Sequence, residues 1–265
     1  MKTLIINTKK KVFSQLSGNH LSKLKGEGLD FRELREYNYQ EDAKKIDWKI
    51  SAKLQKPYVK EFDETKELNI IILYLLSGTM RFGSLRLKSE LALEIMALLG
   101  FSGVKFKDKI NYIIYEKKPL RFKPTKTING VSAAVENISR IDPIKKDYDF
   151  YFIDYLNKLK KSILFIIGDF YKIPPLNRLK HETYVVIIRD KFEERPEFKG
   201  YVELIDPISL KEANVNFNSY ITKKYQNFIK KHDSKLTEFL RNKKIKFTKI
   251  YTDEDPFFKL KEMLK

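Results

Sequence analysis

The rhythm of apolar and polar positions changes near residue 67. From there onward, short apolar runs alternate with segments whose apolar residues recur at helical spacing. Residues 68–76 (Leu-Asn-Ile-Ile-Ile-Leu-Tyr-Leu-Leu) form a near-continuous apolar run, the pattern of a strand covered on both faces. Residues 87–99 then carry Leu87, Leu91, Ile95, Leu98 and Leu99 at helical spacing. The pattern predicts further strands over 109–115, 162–167, 183–188, 201–205 and 245–251. It predicts helices over 128–141, 150–160 and 218–242, with a short helical turn over 176–180. The run Asp253-Glu-Asp-Pro256 caps a last helix, with acidic groups at its positive end and proline near the first turn. This alternation predicts an α/β fold, Rossmann-like, with a mainly parallel sheet and helices on both faces.

Residues 1–66 read differently and are expected to form an N-terminal block packed on a main domain of residues 67–265. Residues 16–28 are polar and punctuated by glycine. Residues 31–37 are short and amphipathic, and as a helix they would carry Arg32 and Arg35 on one face. Residues 59–62 read as a strand entering the main domain. Asp47 stands beside Trp48, the only tryptophan, whose ring is expected to be buried. One of the arginines is then expected to pair with Asp47 or a nearby acid and clamp the block to the sheet. The same Arg and Trp residues also suit a protein-binding surface.

Composition narrows the chemistry. The absence of cysteine removes disulfides, zinc-thiolate sites, iron–sulfur clusters and a thiol nucleophile. No apolar run approaches the roughly 20 residues of a membrane helix. Residues 1–11 lack the continuous apolar stretch of a signal peptide, so a soluble cytoplasmic protein is expected. The net charge of +18 raises nucleic acid as a partner. Only 10 of the 53 basic residues are arginine, however, and the charges are dispersed along the chain. A solvated basic surface is therefore the expectation. Binding to nucleic acid or to an anionic membrane surface is the alternative, marked by steep salt dependence.

Two loops stand at the carboxyl ends of predicted strands, where open parallel sheets bind ligands. One holds Ser77-Gly78-Thr79 and the other Gly168-Asp169. If their strands are neighbours, two hydroxyls and a carboxylate converge, a donor set that suits a hard cation such as Mg²⁺. The same residues also serve as helix caps and turn formers. Little favours an enzyme such as a metal-dependent hydrolase acting through Asp169. His20, His181 and His232 are isolated, and neither H-E-x-x-H, a G-x-S-x-G elbow nor a phosphate-binding loop occurs.

Several segments together resemble a bacterial family of von Willebrand factor A-like proteins, catalogued as domain of unknown function 58. They are Gly26-Glu-Gly-Leu-Asp-Phe-Arg-Glu-Leu-Arg-Glu-Tyr37, Ile46-Asp-Trp-Lys-Ile-Ser-Ala-Lys53 and Val59-Lys-Glu-Phe62. Ser77-Gly-Thr-Met-Arg-Phe-Gly-Ser84, Ile167-Gly-Asp-Phe170, Ile205-Asp-Pro207 and Tyr251-Thr-Asp-Glu-Asp-Pro256 extend the likeness to the chain's end. The resemblance implies a von Willebrand factor A-like fold with an additional N-terminal β-rich element. It also implies a non-enzymatic adaptor or co-chaperone role beside a MoxR-type AAA+ ATPase and a protein client. The family's metal-ion-dependent adhesion site opens with Asp-x-Ser-x-Ser. Here the window is Leu75-Leu-Ser-Gly-Thr79, so Ser77 and Thr79 keep hydroxyls while Leu75 replaces the leading carboxylate. Asp169 matches the later carboxylate, and Thr127 or Thr125 the remaining hydroxyl. The implied site is degenerate, with Mg²⁺ binding weakened or lost.

Overall fold

The computed structural model describes residues 2–15, 30–38, 40–63, 67–197 and 199–264. The chain divides into two compact units, residues 18–67 and residues 1–17 with 68–265. The smaller unit thus ends beside the 66/67 boundary expected from sequence. Residues 1–17 group instead with the larger unit.

That N-terminal segment is a helix, α1 (Lys2–Gln15), which packs against helices of the larger unit through Ile5, Thr8 and Val12. Its apolar residues are sparse among lysines, which hid the helical period in the sequence.

In the smaller unit β1 (Asp30–Glu36) pairs antiparallel with β2 (Tyr58–Asp63), from Asp30 opposite Asp63 to Glu36 opposite Tyr58. The short helix expected over 31–37 is therefore a strand. Apolar residues at 31, 34 and 37 fit a helical period, but the cross-strand partners decide the conformation. β2 joins this two-stranded ribbon rather than the main sheet. Between the strands lies α2 (Trp48–Leu54). The Asp47 carboxylate caps it by accepting from the Ile50 N–H at 3.1 Å, and Gln55 ends it in the left-handed region.

The larger unit is built on a six-stranded sheet. Its elements run β3 (Asn69–Leu75), α3 (Lys88–Lys105), β4 (Lys109–Glu116), β5 (Lys118–Arg121), α4 (Ile128–Ser139), α5 (Phe152–Lys158), β6 (Ile163–Gly168), β7 (Glu182–Arg189) and α6 (Lys191–Glu194). β8 (Gly200–Ile205), β9 (Glu212–Phe217), α7 (Ser219–Asn242), β10 (Lys246–Tyr251) and α8 (Pro256–Met263) follow. The sheet order is β10-β7-β6-β3-β4-β5, parallel throughout except for β5 at one edge. β3 and β6 are buried along almost their whole length, as their continuous apolar runs require. One face packs Ile71, Leu73, Leu75, Leu164 and Ile166 against α5 and α7. Residues of the opposite face, among them Ile70 and Ile72, are buried on the side of α3. Five predicted strands of the main domain lie in this sheet. The sixth, over 201–205, pairs with β9 in a separate antiparallel hairpin.

Candidate functional site

The order of strands reverses between β3 and β6: the chain leaves β3 for β4 on one side and returns to β6 on the other. Loops leaving the carboxyl ends of two such strands diverge and leave a crevice between them. Because Tyr74 is in register with Ile167, the turns that follow bring Ser77, Thr79 and Asp169 together. The Thr79 hydroxyl donates to Asp169 Oδ2. Thr79 has one hydroxyl proton, so the Ser77–Thr79 hydrogen bond must be donated by Ser77. The result is a directed chain, Ser77 to Thr79 to Asp169.

Lys88 completes the group, and nothing in the sequence motif announced it. It is the first residue of α3, is 1% exposed, and places Nζ 3.1 Å from Asp169 Oδ2. Its ammonium also donates to Glu193 of α6. Phe82 lies with its ring centre 6.0 Å from the same nitrogen, a cation–π arrangement. Burial by itself would raise the Asp169 pKa. The charges of Lys88 and Arg189, with hydrogen bonds from Thr79 and Lys88, outweigh it and hold the carboxyl below its ordinary value. Glu193 goes the other way: burial raises it, and Lys88 only partly offsets that.

Around this centre the carboxyl edge is tied by charge. Arg189, at the end of β7, donates to the Asp169 carbonyl and pairs with Asp233 of α7 at 2.7 Å. His232 Nε2 lies 2.8 Å from the Phe170 carbonyl. Phe170 itself is buried at φ 50°, a left-handed conformation unusual for a bulky residue. Two of the carbonyls of this turn are thus each held by a side chain. Asp190 accepts from the Ser84 N–H and hydroxyl, both at 2.9 Å, from the Phe192 N–H at 2.8 Å and from the Thr252 hydroxyl. Burial would raise its pKa, but those donors lower it. His181 is structural: Ser162 N–H donates to its Nδ1, and its Nε2 lies 2.9 Å from the Leu156 carbonyl. His20 falls outside the described residues.

The loop of the β8–β9 hairpin lies over the same edge. A Cβ on Gly78 would fall 2.4 Å from the Pro207 carbonyl oxygen, so only glycine allows the approach. Lys145 N–H also donates to that carbonyl at 2.9 Å, and Gly78 N–H donates to Lys146.

Other expected site residues lie elsewhere. Thr127 caps α4, accepting from Gly130 N–H at 3.1 Å, and Thr125 bridges to Ile110 near the amino end of β4. Both therefore sit at the opposite end of the sheet from Ser77 and Asp169. The distance follows from topology: residues 123–127 lead away from edge strand β5 and back along the sheet. In the smaller unit Arg35 pairs with Glu41 at 2.7 Å, an acid of its own unit. The Arg32 side chain is outside the described residues. Trp48, expected to bury its ring, is 68% exposed. It opens α2, in which Ser51 is the only buried residue, so no other described element covers the indole.

Ser77, Thr79 and Asp169 do not by themselves fit a divalent ion. Asp169 Oδ1 is buried without a hydrogen-bond partner among the described residues, which is the one feature that favours a cation. Against it, Leu75 is fully buried where a carboxylate would stand, and Asp169 Oδ2 already faces an ammonium. Among the described residues no three His, Asp or Glu side chains cluster as a ligand set.

Comparison with known proteins agrees with the motifs. The family model "Protein of unknown function DUF58" matches residues 33–235. The chain belongs to that family. Rv1480, an uncharacterised protein of Mycobacterium tuberculosis (strain H37Rv), is 28% identical over 102 residues, 38% of this chain and 32% of its own length. Mb1516 of Mycobacterium bovis, also uncharacterised, matches to the same extent. The matched stretch thus spans about a third of these relatives. Among solved structures, the conserved hypothetical protein BatB from Bacteroides thetaiotaomicron aligns with a TM-score of 0.44 at 11% identity, covering 74% of this chain and 97% of that one. An aerotolerance-related membrane protein from Bacteroides fragilis aligns at 0.41 and 12%, covering 74% and 96%. In the chain described here, no described helix is long and apolar enough to cross a membrane.

Proposed function

We propose that the chain is a non-enzymatic protein-interaction module of von Willebrand factor A-like architecture, docking a partner at the carboxyl edge of its sheet. The observation that carries this reading is the state of the edge itself. Ser77, Thr79 and Asp169 Oδ2 are spent on one another and on Lys88, and the lowered pKa of Asp169 makes its remaining oxygen, Oδ1, a weak general base. Exposed apolar side chains stand among polar ones in the same segments: Leu85, 79% exposed, follows Ser84, and Ile205 and Leu210 of the hairpin flank Asp206 and Ser209. Apolar side chains held on a rigid polar frame make a docking surface. The identity of the partner, a MoxR-type AAA+ ATPase acting on a protein client, rests on the family resemblance.

The test is calorimetric titration of a purified MoxR-type ATPase into this chain, with ADP and with a non-hydrolysable ATP analogue. Saturable binding weakened by Leu85→Glu and Ile205→Glu is expected. An absence of binding in both nucleotide states overturns the ATPase assignment, and binding indifferent to both substitutions overturns the surface.

A second reading, attachment to an anionic membrane surface, has its own observation. Along the outer face of α7, Tyr220, Lys224, Phe228, Lys231 and Lys235 follow one another at four- and three-residue steps, all exposed. Lysines interleaved with exposed aromatic rings suit acidic headgroups. Co-sedimentation with vesicles of anionic lipid, lost at high salt and in Phe228→Ala, is the expected result. Equal recovery with neutral vesicles excludes it.

A further inference from the structure

We infer that Lys88 is the resident cation of this site: its ammonium balances the Asp169 carboxylate and makes the carboxyl edge independent of divalent metal. The inference concerns the site's chemistry and stands whether or not the edge docks an ATPase.

A charged lysine is unexpected at this position on local grounds. It opens α3, where the partial positive charge of the helix amino end disfavours a cation, and it is almost wholly buried. A nonpolar residue would serve packing better. Lys88 is tolerable because two carboxylates from different elements meet its nitrogen, Asp169 after β6 and Glu193 in α6. Remove the lysine, and Asp169 keeps a buried charge with one oxygen already lacking a partner. The substitution at position 75 fits the same arrangement. Leu75 brings no negative charge and is fully buried. The leading carboxylate implied by the family resemblance is thus absent where a lysine supplies positive charge to the other. A divalent ion at Asp169 would meet the ammonium at close range in a low-dielectric site, where like charges repel strongly.

The experiment uses Mn²⁺ and Mg²⁺ as probes, read by calorimetry and by thermal midpoint. Wild type is expected to show no saturable heat and no change of midpoint with either ion or with chelator. Leu75→Asp alone restores a carboxylate but keeps the ammonium, so it is expected to bind weakly. Leu75→Asp combined with Lys88→Ala is expected to bind Mn²⁺ about tenfold or more tightly than Leu75→Asp alone. Lys88→Ala is expected to melt lower than wild type and to regain part of the loss in Mn²⁺. Saturable one-to-one binding by wild type that disappears in Thr79→Ala overturns the inference. So does Leu75→Asp binding as tightly as the double variant. If the Lys88 variants do not fold, the wild-type titration decides alone: saturable binding sinks the proposal, and its absence together with chelator insensitivity upholds it.

Discussion

The two compact units use charged side chains in opposite ways. In the larger unit Lys88, Asp169, Arg189 and Asp190 are all buried, and each is held by several partners from distant parts of the chain. In residues 30–63 the ion pairs Arg35–Glu41 and Lys56–Glu36 lie toward solvent, and only Ser51 and Val59 of the described side chains are buried. The same chemistry has different consequences in the two places. Water screens an exposed pair whether it forms or breaks, whereas a buried charge that loses its partner keeps its full desolvation cost. Charge therefore organises the carboxyl edge and only decorates the ribbon.

The strongest challenge to that contrast is Lys88→Ala. Stranding Asp169 should destabilise the larger unit by about 3–5 kcal/mol in chemical denaturation followed by circular dichroism. A loss no larger than that of an ordinary surface substitution would show that the pair is not energetically buried. Next comes Asp190→Ala, which leaves donors of Ser84, Phe192 and Thr252 without their acceptor. A cost of about 1–3 kcal/mol is expected by the same measurement.

Acid should expose the contrast more gently. Asp169, Asp190 and Asp233 all have pKa values below the ordinary 3.8. In each, burial opposes the shift and partners overcome it, with Arg189 foremost at Asp233. Their contribution is fully present above pH 3.8 and is lost as the pH falls through the lower folded values. Glu193, raised above 4.5, has the reverse sign: the fold gains as the pH drops from its folded pKa toward 4.5. Denaturant midpoints measured by pH should therefore hold or rise slightly before falling below 3.8. A steady decline beginning at neutral pH would contradict these directions.

The smallest effects belong to the smaller unit. Trp48 is the only tryptophan and is already mostly exposed, so its fluorescence reports this unit with little change on unfolding. Trp48→Ala and Arg35→Ala should leave the midpoint of the larger unit unchanged. A large loss from either would mean that the ribbon carries buried interactions after all.

Legibility followed the same division. Continuous apolar runs announced β3 and β6, and the Ser77, Thr79 and Asp169 turns followed from where those strands end. β1 (Asp30–Glu36) was missed because Phe31, Leu34 and Tyr37 fall at helical spacing, while the cross-strand partners that decide the conformation lie more than twenty residues away. β9 was missed because Glu-Ala-Asn-Val-Asn-Phe has too little apolar character to stand out. Thr127 was misplaced because spacing along the chain does not say at which end of a sheet a loop arrives. Lys88 passed unnoticed inside a helical pattern, although a lysine among apolar positions at a helix start is a signal that could be sought.

Sequence alone determined the α/β class, the family, most element boundaries and two hydroxyls with one carboxylate near a strand switch. These depend on local periodicity and short motifs, which neighbouring residues carry among themselves. Only the tertiary structure decided which cation faces Asp169, which end of the sheet holds Thr127, and that Trp48 stands in solvent. Each of those depends on burial and on partners dozens of residues away, and burial sets how strongly a charge is felt.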